Sequence, residues 1–254
     1  MDLIIGIHSI AAALKNKNRQ PVELIATDEG LTEFLKKTKI QKKEISAEIK
    51  LLSPHLVQEE ARALYREKNL EYQRVPGNIF LLAHELEAMD PGWLRSKVEK
   101  SEKIRILALD NISDVHNGAA ILRTASFYGV DVVIIPQEKS FGLTPSFFRI
   151  ASGATEFIPL VRTSNLTRTL TQLKEVGVEV WGLSEHSETA LTSEDLRKNK
   201  VCLVLGSEDD GLSHSVMRVV GKTLSLTSQG EIKSLNVSAA ATLALQLCFP
   251  SSQK

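Results

Sequence analysis

The stretch Ile104–Ile135, IRILALDNISDVHNGAAILRTASFYGVDVVII, decides the fold. An apolar, β-branched run (Ile104–Leu109) gives way to a polar loop. A helical apolar pattern follows over Ala119–Tyr128, then a second apolar run at Val130–Ile135. Runs this apolar read as strands buried on both faces, and a helix between two of them is the βαβ unit of a parallel sheet. The pattern continues downstream. Runs at Val178–Leu183, Val201–Leu205 and, more briefly, Thr223–Leu226 alternate with helical patterns at Ser146–Ser152, Leu166–Val176, Ser213–Val220 and Val237–Phe249. This predicts an α/β domain over residues 104–254, its mostly parallel sheet covered on both faces. Ligands of such sheets bind at the carboxyl ends of strands. The loops after Leu109, Leu183, Leu205 and Leu226 are therefore where chemistry is expected.

Upstream, residues 1–84 alternate shorter patterns: a helix at Ile7–Leu14, a strand at Val22–Ala26, a Lys-rich helix at Leu31–Lys39 and a strand at Ile49–Leu52. A helix then opens at Ser53-Pro54, a cap residue followed by proline at the first helical position, and Asn78–Ala83 reads as a strand. These predict a small α/β domain. Residues 85–103 are richly charged and contain the turn signal Asp90-Pro91-Gly92, so they read as a linker.

Composition bounds the function without naming it. A 254-residue chain with 43% hydrophobic residues has material for a core without disulfide or metal staples. Cys202 and Cys248 sit in apolar runs away from histidines, so they read as buried hydrophobes in a reducing compartment, and no metal site is expected. The N-terminus lacks a basic region, and no apolar stretch reaches the ~18–20 residues of a membrane span, which predicts a cytoplasmic protein. Lysine plus arginine and aspartate plus glutamate both number 31. A simple nucleic-acid binder carries a basic excess, so any such contact must be local; the densest basic cluster is Lys36, Lys37, Lys39, Lys42 and Lys43.

Three loops carry the candidate chemistry. After the first strand of the C-terminal domain, Asp110–Asp114 leads to Asn117, which reads as the cap of a helix whose arginine is Arg123. Arg123 is either a solvated helix residue or a cation reaching past the helix start, and its neighbours Ile121, Leu122 and Ala125 are apolar. After Leu205 comes Gly206-Ser207-Glu208-Asp209-Asp210-Gly211-Leu212. Gly206 permits close backbone approach to a ligand. The carboxylates disfavour phosphate and suit a cationic sulfonium, although an ordinary acidic turn stays open. After Leu226 comes a loop ending in Ser234-Leu235-Asn236-Val237, where Ser234 or Asn236 can cap a helix that begins with small residues. A nucleotide P-loop and the Gly-x-Gly-x-x-Gly turn of a Rossmann dehydrogenase are both missing.

With these loops in this order, the chain resembles the SpoU branch of the SPOUT methyltransferases over Lys103–Phe249. Asn117 with Arg123-Thr124-Ala125 matches the first motif, Leu205–Leu212 the second, and Ser234-Leu235-Asn236-Val237-Ser238-Ala239-Ala240 the third. Gly6-Ile7-His8-Ser9-Ile10 with Ala13-Leu14 is similar to the start of a small RNA-binding domain related in fold to a ribosomal protein. Three departures touch backbone-shaping positions. Val115 stands for a proline, Ala119 for a glycine, and Leu226-Thr227 for an Ile-Pro pair.

The resemblance implies a SPOUT-type sheet tied in a trefoil knot, a bound S-adenosyl-L-methionine and a homodimer whose site draws on both subunits. It implies methylation of a ribose 2′-hydroxyl, of guanosine in large-subunit ribosomal RNA, with transfer RNA or a non-catalytic RNA-binding role as rivals. Asn117, Arg123, Glu208, Ser234 and Asn236 are then the catalytic set. Leu183, Ser184, Leu205, Gly206, Gly211, Leu226 and Leu235 surround the cofactor. A guanidinium holds its proton above pH ~12, so Arg123 would act as a fixed cation rather than as a base.

Overall fold

The computed structural model describes residues 1–191, 199–208, 210–232 and 234–248. Asp209 and Lys233 in the second and third loops, and Phe249 at the expected end of the last helix, lie outside them. The chain forms two compact units. One comprises residues 1–87 and 143–156, the other the described residues of 88–142 and 157–254.

The first unit is a four-stranded sheet with helices on both faces. Its elements in order are β1 (Asp2–Ile5), α1 (Ile7–Lys15), β2 (Pro21–Ala26), α2 (Asp28–Thr38), β3 (Glu48–Leu51), α3 (Pro54–Glu67) and β4 (Ile79–Ala83). Strand order is β1-β4-β2-β3, with β4 antiparallel to β1 and β2, and β3 parallel to β2. Strand alternation splits the core in two. Ile4, Leu81 and Ala83 pack with Ile10 and Ala13 of α1 and with Leu31 and Phe34 of α2, whereas Leu3, Ile5, Phe80 and Leu82 pack with Val57, Ala61 and Tyr65 of α3. Helix α2 starts earlier than the apolar pattern suggested. Thr27 Oγ1 accepts from Gly30 N at 2.9 Å and caps a first turn carrying Asp28 and Glu29.

The second unit is a parallel six-stranded sheet. Its elements are α4 (Pro91–Lys100), β5 (Ile104–Leu109), α5 (Val115–Phe127), β6 (Val132–Pro136), then, past α6 (Pro145–Ala151), β7 (Leu160–Thr163), α7 (Leu166–Glu175), β8 (Glu179–Leu183), β9 (Lys200–Leu205), α8 (His214–Met217), β10 (Lys222–Leu224) and α9 (Val237–Cys248). Strand order is β10-β8-β9-β5-β6-β7. Ile106 and Ala108 join Leu94, Val98, Leu170 and Leu173 in one apolar cluster, and the alternate residues Leu107 and Leu109 are buried too. Both faces are therefore covered, as expected from the apolar runs.

Two sequence boundaries move. Residues 85–103 are more than a linker, because α4 places Leu94 and Val98, both fully buried, in the core of the second unit. In turn α6 (Pro145–Ala151), expected within 104–254, packs in the first unit. Its Phe148 joins the α1–α2 core, and Ser9 Oγ donates to Phe148 O at 2.5 Å. Residues 143–156 also bring Glu156 to the buried Arg19. Arg19 lies 2.8 Å from Asp2 and 3.6 Å from Glu156.

Both cysteines are free and buried. Burial pushes the Cys202 thiol far up and that of Cys248 up to about 12, so neither is a ready thiolate. No described helix is long and apolar enough to cross a membrane.

Candidate active site

Four chain segments meet at the carboxyl ends of β5, β8, β9 and β10. After β5, Asp110 is 4% exposed, and its Oδ2 accepts from Ser213 N at 2.7 Å, tying this loop to the one after β9. Helix α5 then starts on Asp114, whose Oδ1 accepts from Asn117 N at 2.7 Å. Asn117 was expected to be that cap. It sits instead at the third helical position, and its side chain is spent elsewhere.

Elsewhere means Glu208 and Asn236. Asn117 Nδ2 donates to Glu208 Oε1 at 2.9 Å, and Asn236 Nδ2 donates both to Glu208 Oε1 at 2.5 Å and to Asn117 Oδ1 at 3.0 Å. Val237 N adds a further donor to Glu208 Oε1 at 3.1 Å. Residues separated by up to 119 positions in the chain thus form a closed hydrogen-bonded ring. Asn236 also caps α9, its Oδ1 accepting from Ser238 N at 2.9 Å. Of the two candidates for that cap, Asn236 makes this bond, and Ser234 is exposed.

The glycine after β9 lets the chain approach its own backbone closely. A Cβ on Gly206 would lie 2.1 Å from the Gly211 carbonyl carbon and 2.4 Å from Leu212 N. The close approach is therefore the chain's own backbone. Ser207 and Gly211 exchange hydrogen bonds of 3.1 Å in each direction, and Gly211 takes φ +65°. This tight loop projects Glu208 toward Asn117. Leu205 is buried as β9's last residue, and its carbonyl accepts from Asp110 N at 2.8 Å.

Beside it, Leu183 pairs with Leu224 in the β8–β10 register, and Ser184 N donates to Leu224 O at 2.9 Å. The loop after β8 continues alongside the one after β10, with Leu191 N on Ser225 O and Ser225 N on Thr189 O, both at 2.8 Å. Leu226 is half-buried and Leu235 is 51% exposed.

Arg123 is not brought to the ring. It lies six residues beyond Asn117, about 9 Å along the helix axis and on another face. It is exposed and, among the described residues, its side chain forms no hydrogen bond or ion pair. Within one chain Asn117 and Glu208 are instead bonded to Asn236 and to each other.

Two contributors escaped the sequence reading. Asp114, three residues before Asn117, carries the cap signature of an Asx residue ahead of an apolar helix. Phe141 is 1% exposed and fills the space beside Gly118, where a Cβ would come within 2.1 Å of its ring. No local signal marks that contact, since it joins distant segments.

A parallel α/β sheet whose strand-end loops close on a carboxylate and two side-chain amides puts the candidate site where open α/β sheets bind their ligands. The chain belongs to the SpoU rRNA Methylase family, whose description matches residues 104–246. It is 31% identical over 248 residues to the 23S rRNA (guanosine-2'-O-)-methyltransferase RlmB of Shewanella oneidensis, covering 96% of this chain and 95% of that one. Its counterpart of the same name in Coxiella burnetii is 31% identical over 243 residues, covering 95% and 92%. Among solved structures, the SpoU methyltransferase AviRb of Streptomyces viridochromogenes in complex with AdoMet shares the fold. Its TM-score is 0.77 at 19% identity, over 97% of this chain and 88% of that one.

Proposed function

We propose that this protein methylates the 2′-hydroxyl of a guanosine ribose in large-subunit ribosomal RNA, with S-adenosyl-L-methionine as donor, in the cytoplasm and as a homodimer. The observation that carries the reading is the Asn117–Glu208–Asn236 ring at the strand ends. It occurs in a chain similar along nearly its whole length to 23S rRNA guanosine 2′-O-methyltransferases.

The residues fit the cofactor. The loops after β8 and β10 run side by side through main-chain hydrogen bonds, the β9 loop meets the chain after β10 through the Glu208 side chain, and Leu226 and Leu235 retain exposed surface. An acidic lining from Glu208 and Asp210 suits a sulfonium. After β10 the chain returns past β8 and β9 to α9, which packs on α5, in keeping with the trefoil knot. The cofactor supplies an electrophilic methyl group. Main-chain groups of Gly206, Leu226 and Leu235 would hold it, with Leu183 and Ser184 at the adenine edge and Leu205 and Gly211 shaping the loop beside it. The ring fixes where α5, α9 and the β9 loop meet, and Ser234 borders the ribose. Such alignment of two reactants is worth ~7–11 kcal/mol. Arg123, free of intrachain partners among the described residues, serves the partner subunit's site. There it grips phosphate and stabilises alkoxide character on the 2′-oxygen as the proton leaves to solvent.

Nucleoside mass spectrometry of ribosomal and transfer RNA from cells with and without the gene tests this. Loss of one 2′-O-methylguanosine from large-subunit RNA is expected. Loss from transfer RNA would move the substrate, and no change in any pool would sink the enzyme.

A further inference from the structure

Gly118 is a glycine that its own backbone does not call for. It lies inside α5, one residue after Asn117, without the positive φ that would require glycine. Within a helix glycine costs stability relative to alanine, because it gives up more backbone freedom on folding. The reason for it lies outside the helix. A Cβ at this position would come within 2.1 Å of Phe141 Cδ1 and 2.5 Å of Cε1 and Cγ, so the phenyl group already fills the space of a side chain. Both partners of the contact are buried.

The segment that carries the phenyl is fastened on two sides. Just past β6, Gln137 N donates to Thr163 O at 2.9 Å, and Ser140 Oγ donates to Pro136 O at 2.7 Å. Phe141 N then donates to Ile112 O at 3.2 Å, in the loop that leads from β5 into α5. Held at both points, the phenyl has little room to withdraw. Asn117 and Gly118 follow each other around the helix by about 100°. One turns its side chain to Glu208 and Asn236, and the other presents its bare Cα to the phenyl. Carbon atoms pack about 3.5–4.0 Å apart, so a methyl added at position 118 would need about 1.5 Å of movement. A shift of that size would carry the Asn117 bonds of 2.9 and 3.0 Å past the ~3.5 Å at which a hydrogen bond is lost.

We propose that Phe141 is a positioning residue for methyl transfer: seated against Gly118, its phenyl holds the first turn of α5 where Asn117 reaches Glu208 and Asn236. Phe141 touches no reacting atom and acts through Asn117. The inference rests on the methyltransferase reading of the site.

The test is a double-mutant cycle in the full chain. Its first readout is single-turnover transfer of labelled methyl into large-subunit ribosomal RNA from cells lacking the gene. Gly118→Ala should lower that rate by about 10²-fold. Cofactor affinity by calorimetry should stay as in the wild type, because Asn117 is not among the groups assigned to the cofactor. Phe141→Met replaces a rigid phenyl with an unbranched chain that bends around an added methyl, and alone it should lower the rate about tenfold. In that background Gly118→Ala should cause no further loss, so the two changes are non-additive by at least about tenfold. The second readout is the side-chain amide signals of Asn117 and Asn236, followed by NMR in asparagine-labelled protein. Gly118→Ala should shift both in the wild-type background and leave both in place beside Phe141→Met.

Full activity with unmoved amide signals in Gly118→Ala would overturn the proposal, and so would an equal loss with and without Phe141→Met. Should Gly118→Ala alone fail to fold, Phe141→Met decides, and a wild-type rate with wild-type amide signals in that variant sinks the idea. Methyl transfer by the wild type separates the two readings. If the wild type transfers no methyl, the enzyme reading falls and the amide signals alone judge the contact. If it does and the cycle is additive, only the role of Phe141 falls.

Discussion

In the first unit, Arg19, Asp2 and Glu156 meet where water is excluded; in the second, Asn117, Glu208 and Asn236 meet at an open surface. The Arg19 side chain is 1% exposed and has two carboxyl groups for one guanidinium. Burial pushes both carboxyls above the usual range, and Arg19 pulls back only part of that rise. Among the described residues, Arg19 Nε and Nη1 have no hydrogen-bond partner. The exposed ring uses neutral amides around a single carboxylate, so Glu208 Oε1 takes three donors without a second charge. Buried charges like the first set hold a fold together at high desolvation cost. The second set costs little to expose and leaves its amides and carboxylate at the strand-end loops, where a ligand can use them.

Breaking each cluster should separate these roles. Arg19→Ala leaves Asp2 and Glu156 buried without a counter-charge, and loss of one partner of a buried pair costs about 3–5 kcal/mol. A lowered urea midpoint and faster amide exchange in β1 and β2 would register it, while cofactor affinity of the folded fraction stays as in the wild type. Glu208→Ala should do the reverse. It removes the acceptor that holds Asn117, Asn236 and Val237 in place, yet Glu208 is exposed, so the stability cost is under about 1 kcal/mol. Misplacement of aligned groups costs on the order of 10²-fold in rate, and single-turnover methyl transfer should fall by that much. A Glu208→Ala enzyme with wild-type turnover would show that the ring is only a helix fastening.

The same contrast explains what could be read from the chain alone. The buried strands of the second unit announce themselves, because both faces need apolar side chains. Weak strands did not: β7 is four residues, Leu160–Thr163, with an arginine and a threonine, and β1 is a four-residue run that reads as an unremarkable N-terminus. Helix α4 hides Leu94 and Val98, four apart on one face, among lysines, arginine and glutamate. The placement of α6 with the first unit is a tertiary choice, made by Phe148 and Glu156 finding Ile10's core and Arg19. Nor could spacing join Asn117 to a partner 119 residues away; the family motifs marked these residues, and only the fold shows them bonded. Gly206 was legible as a residue that needed closeness, but what it approaches is its own loop.

The smallest expected effect sharpens the buried side of the comparison. With the carboxyls of Asp2 and Glu156 raised in the folded protein, the native state binds protons more tightly than the unfolded chain. By linkage, their contribution to stability is most favourable below the unfolded carboxylate value, about 4, and declines as pH rises through the raised folded values. Above those values it no longer changes. One proton in that window amounts to at most about 1.4 kcal/mol per pH unit. Glu156→Gln keeps an acceptor for Asn16 Nδ2, which now donates to Glu156 Oε2 at 2.9 Å, and removes one of the two titrating groups. Urea midpoints measured from about pH 4 to pH 7 should therefore fall less steeply for E156Q than for the wild type, with parallel curves above the window. Superimposable pH dependences would mean that Arg19 holds both carboxylates ionised. The buried cluster would then be an ion triad that keeps both carboxylates charged in spite of their burial.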